Sequence, residues 1–422
     1  MHRIIAAVLA ASACAGIAHA QTSPPATAGD VTTLDEALAQ AGASFPTIEA
    51  GSAGVRAAEA GRTVAGLRPN PEVSVEVENV AGTGPYRGIG ESETTIGFSL
   101  PLELGGKRGA RIGVADARID RARIESAVAL ADLRLRVTQS YIEAVTAERR
   151  LVVARNQLGI ANEALRVARD RVMVGATSPI DEQRAQVQQI NAQTAVERAE
   201  RVAATNRANL ERLVGQSIVG ALDEAWFDRL HTQTYGPVAS VRAEGTLAYA
   251  AANADLGIAN ANVRLARSQR VPDLTLSAGT RRIEATNDQA MVFGVSVPLP
   301  LFNNGRAAVS QARAERDQAD ARLRVARVDA EQQIASASAD RDNAAAAVRA
   351  SGPALQAAQE AARIARIGYG QGKFDQLILL DAERTLAEAR AQQIDALAAY
   401  HDAEARLARL IAPAPALSGD TQ

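Results

Sequence analysis

The chain has 422 residues, of which 47% are apolar but only 3% aromatic, and its formal net charge is −2. Much of the apolar fraction is alanine, which suits long, closely packed helices better than a thick globular core. A charge balance this close to neutral gives no reason to expect a nucleic-acid partner.

The first twenty residues are typical of a secretory signal peptide. Arg3 precedes an apolar stretch at residues 4–13, and Ala18-His19-Ala20 supplies a small-residue cleavage site. The stretch is too short to span a bilayer as a helix. Cys14, the single cysteine, leaves a lipoprotein signal open as an alternative. Both interpretations place the protein outside the cytoplasm, with residues 21–46 as an N-terminal periplasmic segment.

One supersecondary unit occurs twice in the sequence. Gly97 aligns with Gly294, and Pro101 aligns with Pro298, at a constant offset of 197 residues. A fixed internal period predicts two halves of one object. The predicted units cover residues 47–214 and 242–412. A connector at residues 215–241, which contains Trp226, Phe227, His231 and Tyr235, separates them, and a flexible tail is expected at residues 413–422.

Each unit contains a predicted β-hairpin, at residues 71–101 and 272–299. Val73, Val75 and Val77 alternate with Ser74, Glu76 and Glu78, which is the period of a strand with one apolar face. The second strand and the second copy repeat the alternation. Four strands of about ten residues have the length that crosses an outer membrane.

Each hairpin leads into a long predicted helix, at residues 106–174 and 303–371. A helix of this size is about 100 Å long at 1.5 Å per residue. Apolar side chains recur every seven residues from Leu130 to Val172, which implies a left-handed supercoil. Return helices are predicted at residues 179–214 and 376–411. Each unit also begins with a shorter helix, predicted at 47–68 in the first copy. The combined length of this helix and the return helix matches that of the long helix.

Four strands cannot close a barrel, because about eight are the practical minimum. An open sheet cannot lie in lipid with unpaired edges. If the strands lie in a membrane, several chains must therefore contribute to one sheet.

The doubled unit and the tip sequence GKFDQLILLDA at residues 372–382 resemble the TolC family of outer-membrane efflux ducts. The resemblance implies a mainly α fold with a transmembrane β part. In a homotrimer, four strands per chain would form a shared 12-stranded barrel in outer-membrane lipid. A long α-helical coiled-coil barrel would extend from it into the periplasm. The implied partners are a periplasmic adaptor (a membrane fusion protein) and an inner-membrane RND (resistance-nodulation-division) pump.

Residues 67–73 and 102–108, LRPNPEV and LELGGKR, are similar to the CzcC-type subunits of this family. Those subunits serve cobalt–zinc–cadmium and related heavy-metal pumps, so the expected function is a duct for heavy-metal cations. A duct for multidrug efflux or type I protein secretion is an alternative. A periplasmic adaptor or a coiled-coil scaffold fits less well, because an adaptor would carry one helical hairpin and not two copies opening with membrane-length strands.

Asp381 matches an aspartate that, by the resemblance, lines the closed periplasmic entrance. Three copies in a trimer would form an acidic ring that attracts cations. The family pattern has a second aspartate three residues earlier, where this chain has Ile378, and Asp181 occupies the equivalent position in the first copy. The simpler interpretation is that both aspartates are solvated residues favoured by the helix dipole.

The turns after the long helices are candidate docking sites for the adaptor, because helix ends leave polar groups that need partners. The candidates are Val174, Gly175, Thr177, Ser178, Gly372 and Phe374. For the glycines alone, the requirements of the turn are the better explanation. Glu76 and Glu78 are expected to line the barrel lumen without forming a selective site.

Enzyme chemistry has no support in the sequence. His231 and His401 have no cysteine or histidine at ligand spacing. Gly105-Gly106-Lys107-Arg108 lacks the pattern of a phosphate-binding loop. We therefore predict no catalytic residue, no resident metal site and no cofactor.

Overall fold

The computed structural model describes residues 31–230 and 242–415. The predicted signal peptide, His231 and Tyr235 of the connector, and the tail from residue 416 lie outside the described residues.

Eight α-helices and four strands are present in the described part of the chain, and each unit follows the order helix, hairpin, long helix, return helix. The helices are α1 (Leu34–Ser44), α2 (Pro46–Ala65), α3 (Lys107–Met173), α4 (Pro179–Val214), α5 (Glu224–Phe227), α6 (Leu247–Ser268), α7 (Arg306–Gly370) and α8 (Gln376–Leu410). The strands are β1 (Glu72–Glu78), β2 (Glu93–Leu102), β3 (Leu274–Ile283) and β4 (Asp288–Ser296).

The two long helices begin and end at glycines with left-handed backbone angles. Gly106 (φ 72°) precedes α3, which has 67 residues, and Gly305 (φ 71°) precedes α7, which has 65. Gly175 and Gly372 follow the two helices with φ of 70° and 71°. Glycine adopts this conformation without the steric cost of a Cβ atom, so the sequence marks both ends of each helix.

The four strands form one antiparallel sheet in the order β1-β2-β3-β4. The pairing of β2 with β3, in which Gly97 lies opposite Gly279, joins the two units. One cross-strand row contains Val73, Phe98, Ala278 and Phe293, so the apolar side chains of all four strands share a face. Val73 and Phe293 are each 74% exposed, and no other strand of the described part of the chain pairs with the outer edges of β1 and β4.

The helices form a wall one helix thick. Near the sheet, α2, α3, α6 and α7 lie side by side in that order, and towards the opposite end the order is α4, α3, α8 and α7. Alanines of the seven-residue repeat, such as Ala144 and Ala168, are buried between neighbouring helices. No described helix is both long and apolar enough to cross a membrane.

The largest core lies halfway along the wall. There α1 and the connector pack on α3, α4, α7 and α8, around buried Tyr141, Leu210, Phe227 and Tyr400. The Tyr141 hydroxyl donates to the Thr32 carbonyl at 2.8 Å and accepts from the Asp223 amide at 2.8 Å. This network orders the part of the connector that the structure describes.

Several element bounds differ from the expected ones. The first helix of the first unit is α2, which ends at Ala65 because residues 66–68 form a turn before Pro69. Strand β4 ends at Ser296, before Pro298, and α7 begins at Arg306 and not at 303. The tail was expected to be flexible from Pro413. In the structure, Pro413 forms an antiparallel β-bridge with Thr246, and the Ala414 amide donates to the Gly245 carbonyl at 3.1 Å.

Candidate functional sites

The turn between α3 and α4 is the tip of the first helical hairpin. The Gly175 amide donates to the Val172 carbonyl at 3.0 Å, which closes the end of α3. Ser178 caps α4, and its hydroxyl accepts from the Ile180 amide at 3.4 Å. Val174 is 77% exposed, so the tip presents an apolar side chain to water.

The turn between α7 and α8 is the tip of the second hairpin. Gly372 reverses the chain, and Asp375 caps α8 by accepting from the Gln376 amide at 2.7 Å. Phe374 is half-buried, and its ring lies against Gly368, where an added Cβ atom would be 2.1 Å from the ring. Phe374 therefore holds its own hairpin tip together. Gly368 escaped the sequence analysis, although a glycine inside a helix is a signal of close contact.

The two hairpin tips are joined by Arg171 of α3 and Tyr369 of α7. The Arg171 guanidinium donates to the Tyr369 carbonyl at 2.8 Å and lies 4.3 Å from the centre of the Tyr369 ring. Burial raises the pKa of the Tyr369 hydroxyl. Neither residue was predicted, because nothing in the local pattern indicates a contact between the two units.

Asp381 and Asp181 lie near the starts of the return helices. Asp381 is exposed in a groove of about 430 Å³ between α3, α4 and α8. Asp181 is half-buried, and its carboxylate accepts a hydrogen bond from the Thr177 hydroxyl. The two carboxylates share no hydrogen-bonding partner in the described part of the chain. Asp381 is thus the more available of the two to a passing cation.

Beside Asp381, α8 carries a second acid that is already neutralised. Glu383 is only 5% exposed, and its carboxylate accepts two hydrogen bonds from the Arg366 guanidinium of α7, one of them 3.0 Å long. These hydrogen bonds raise the pKa of Arg366. The ion pair keeps the buried carboxylate compensated, and Asp381 remains the exposed acid of the groove.

Glu76 and Glu78 lie on the polar face of the sheet, as the alternation predicts. Arg281 of β3 reaches Glu78 at 2.9 Å and Glu93 at 2.8 Å, and it donates to the Thr95 hydroxyl at 2.9 Å. Arg281 therefore shares its single positive charge between two of the acids on this face, which stays acidic overall. Glu76 has no charged partner among the described residues, and its side chain is exposed.

The histidine that the structure describes is structural. The buried His401 ring stacks on Trp226, with ring centres 4.3 Å apart, and Nε2 lies 2.9 Å from the Phe227 carbonyl. It thereby fastens the connector to α8. The described residues contain no group of three or more histidine, cysteine, aspartate or glutamate side chains that could hold a metal ion.

Comparison with known proteins decides the family. The profile of the family described as "Outer membrane efflux protein" matches residues 37–216 and 245–412. The chain belongs to the outer membrane efflux protein family. The two matched segments correspond to the two repeated units. Proteins of this family are channels and not enzymes, so the chain is an efflux channel subunit that lies in the outer membrane and extends into the periplasm.

Two relatives of this efflux channel are metal-resistance proteins of Cupriavidus metallidurans. The cobalt-zinc-cadmium resistance protein CzcC is 30% identical over 393 residues, which cover 92% of this chain and 91% of the relative. The nickel and cobalt resistance protein CnrC is 32% identical over 74% of this chain and 72% of the relative. The predicted resemblance to CzcC-type subunits is confirmed.

Among solved structures, the outer membrane protein VceC of Vibrio cholerae has a TM-score of 0.72 with 19% identity. The match covers 90% of this chain and 96% of VceC. This likeness and the observed helices and four-stranded sheet confirm the predicted TolC-like fold.

Proposed function

We propose that this efflux channel subunit forms a homotrimeric duct that releases heavy-metal cations from a tripartite RND system. The observation that carries the substrate class is the similarity to CzcC over 92% of the chain, which CnrC extends to a second metal-resistance protein. Channels of this family work as trimers with an adaptor and an inner-membrane pump. The chain shows no nucleotide-binding motif, so the partner pump supplies the energy.

Open edges support assembly with further copies. The sheet ends at β1 and β4, whose outer backbone groups have no strand partner among residues 31–230 and 242–415, and lipid offers none. The helical wall ends at α4 and α7, where Val187 and Val325 are among the exposed apolar side chains. Contact of one edge with the opposite edge of the next copy would cover both. Three copies would give a closed sheet of twelve strands.

Asp381 is proposed as the cation-attracting residue of the periplasmic entrance. A trimer would bring three exposed carboxylates around one axis, and such rings concentrate cations. Asp181 contributes less, because the Thr177 hydroxyl already occupies its carboxylate. The buried Glu383 and its Arg366 partner leave the charge of this ring to Asp381.

The hairpin tips are proposed to dock the adaptor. Met173 and Val174 are 76% and 77% exposed at the end of the first hairpin, next to Gly175, Thr177 and Ser178. In the second hairpin, Gly372 shapes the turn and Phe374 supports it from inside. We therefore assign direct contact to the first tip and a supporting role to Phe374.

The barrel lumen is proposed to be a passive exit. Arg281 pairs with Glu78 and Glu93 but neutralises only one of their two charges, and Glu76 has no charged partner among the described residues. A tightly chelating cluster would slow release, and none is present among the described residues. An acidic face without a chelating cluster suits a duct whose substrate is chosen by the pump.

The test is a gene deletion assayed for tolerance to zinc, cadmium, cobalt, nickel, copper and silver beside drugs and detergents. We expect selective loss of tolerance to one group of metals, restored by the wild-type gene. A copy with Asp381→Asn should restore it incompletely, whereas Asp340→Asn, at an exposed aspartate of α7 outside the groove, should restore it fully. Sensitivity confined to drugs and detergents would contradict the metal substrate and leave the duct fold intact.

A further inference from the structure

Where the sheet meets the helices, the chain is strongly basic. Four segments meet at this level, namely residues 66–71, 104–109, 267–273 and 298–306. They contain six basic residues and one acidic residue, in a chain whose net charge is −2. We call these residues the basic collar: Arg68, Lys107, Arg108, Arg267, Arg270 and Arg306, with Asp273 as the acid.

Contacts between the segments show that the collar is one surface at one height. The Arg108 guanidinium donates to the Gly66 carbonyl at 2.6 Å. Lys107 pairs with Asp273 at 2.7 Å, and Arg270 donates to the Asn304 carbonyl at 3.4 Å. The collar therefore runs across the ends of α2 and α6 and the starts of α3 and α7.

Most of the collar charge is not compensated by the protein. Asp273 is paired with Lys107, and Glu103, which lies at the same level, is paired with Arg111, so neither acid neutralises the other arginines. In the single chain, Arg68 and Arg306 are exposed and have no hydrogen bond or ion pair from their side chains within the described residues. They lie at opposite edges of the chain, so the proposed assembly would bring Arg68 of one copy beside Arg306 of the next and add no acid. Arg270 is also exposed, and its one contact is to a neutral carbonyl. A cluster of arginine side chains without acidic partners either binds an anion or remains fully hydrated.

Apolar side chains accompany these arginines. Leu299 and Leu301 are 76% and 78% exposed, and Phe302 is fully exposed. They continue the apolar alternation of β4 beyond its last residue, since Val295 and Val297 are exposed as well. The collar thus borders the sheet face that meets lipid, with leucine and phenylalanine beside guanidinium groups.

The opposite end of the sheet lacks this composition. Its loops, residues 79–92 and 284–287, contain one arginine and two glutamates. Because the helices extend into the periplasm, the collar lies at the periplasmic leaflet, which consists of phospholipid. Arginine matches phosphate oxygens with its planar array of donors, and long basic side chains reach headgroups while apolar neighbours contact the acyl chains.

We propose that the basic collar binds the phosphate groups of anionic phospholipids in the periplasmic leaflet and fixes the height of the channel in the membrane. The inference rests on the outer-membrane position of the sheet and not on the exported substrate. Arg68, Arg270 and Arg306 are the principal ligands, and Phe302 anchors the same lipid through its acyl chain.

The full-length oligomer is purified in detergent, and co-purified lipid is removed by detergent exchange. The oligomer is then titrated with phosphatidylglycerol or phosphatidylcholine, and the bound lipid is counted by native mass spectrometry. The variant Arg68→Gln/Arg270→Gln/Arg306→Gln is compared with Arg184→Gln/Arg198→Gln/Arg322→Gln. The control triple removes the same charge from exposed arginines of α4 and α7 away from the collar. Heat-modifiable migration of the oligomer on gels shows that each variant is folded.

We expect the amount of phosphatidylglycerol bound to the collar variant to be about one fifth of the wild-type amount or lower. The control triple should bind as much as the wild type. Phe302→Ser should reduce the binding of phosphatidylglycerol, because Phe302 contacts its acyl chain, and should leave the binding of inorganic phosphate unchanged. A site for free phosphate would show no effect of Phe302→Ser on either ligand. The proposal would be overturned if both triple variants bound as much phosphatidylglycerol as the wild type, or if both lost the same amount. Loss of binding to purified peptidoglycan with unchanged lipid retention would overturn it in favour of the cell wall.

Discussion

Arg171 and Tyr369 are 198 residues apart in sequence and join the tips of the two helical hairpins. The guanidinium of Arg171 donates to the Tyr369 carbonyl at 2.8 Å and lies over the Tyr369 ring at 4.3 Å. One side chain thereby makes a charge-assisted hydrogen bond and a cation–π contact. This pair stabilises the arrangement in which the second hairpin rests on α3.

Arg171→Ala should therefore loosen the periplasmic entrance. A hydrogen bond to a charged group contributes about 1.5 kcal/mol. Its loss should raise the population of open channels about tenfold. Single-channel recording of the reconstituted protein measures this population. Arg166→Ala is the matched control, because Arg166 bonds only to Glu163 and Asp170 of its own helix. Equal open populations in the two variants would contradict a closing role for Arg171.

Gly368→Ala should displace Phe374 from the second hairpin tip. An added Cβ atom would lie 2.1 Å from the Phe374 ring, which must then move into solvent. We expect weaker binding of the purified adaptor and faster proteolysis at the turn. Gly370→Ala is the control, because nothing lies within 4 Å of its added Cβ atom. If the two variants behave alike, Phe374 does not support the tip through Gly368.

Arg366→Ala should destabilise the hairpin of α7 and α8 by about 2–3 kcal/mol, since it leaves the carboxylate of Glu383 buried without a partner. The value is at the low end for a buried pair because Arg366 itself is 45% exposed. Glu383→Gln should cost less, because it removes the buried charge. Arg363→Ala breaks an exposed pair with Glu360, and solvent screening makes its effect on stability far smaller. Denaturant unfolding that ranks Arg363→Ala with Arg366→Ala would contradict this account.

Tyr141→Phe should weaken the junction between α3 and the connector by about 1–3 kcal/mol, because the Asp223 amide and the Thr32 carbonyl lose their shared partner. Burial raises the Tyr141 pKa from 10.0 to about 12. A pKa raised on folding gives stability that is complete below pH 10 and is lost as the pH rises towards 12.

The free energy of unfolding, measured across this pH range, should therefore fall more steeply for the wild type than for Tyr141→Phe. Ultraviolet titration of tyrosinate should show one tyrosine fewer ionising late in the variant. Parallel stability curves for the two proteins would show that Tyr141 does not carry the alkaline transition.

The architecture was predictable because its signals are local. Gly175 and Gly372 mark the ends of the long helices, and the valines of β1 define the apolar side of the sheet by strict alternation. The constant offset between the two units then extends each local conclusion to the second copy. Most element bounds differ by a few residues, as where a turn ends α2 at Ala65 and a glycine delays the start of α7 to Arg306.

The side-chain contacts of the sites were not predictable in the same way. The pairs Arg171–Tyr369 and Arg281–Glu78 each join the two units. Their formation depends on the rotation of one helix against another and on the register of β2 with β3. Neither quantity is encoded in a short stretch of sequence. The same limit explains why Phe374 was predicted as a docking residue while Gly368, its packing partner, was not.

The most direct test of a metal-efflux duct is the metal content of cells that express the pump and adaptor but lack this protein. After loading with zinc, cadmium or cobalt, we expect the deletion strain to retain more metal than the wild type, with the excess in the periplasm. Expression of the wild-type protein should return the content to normal. Unchanged metal content, with accumulation of a fluorescent drug instead, would contradict the account.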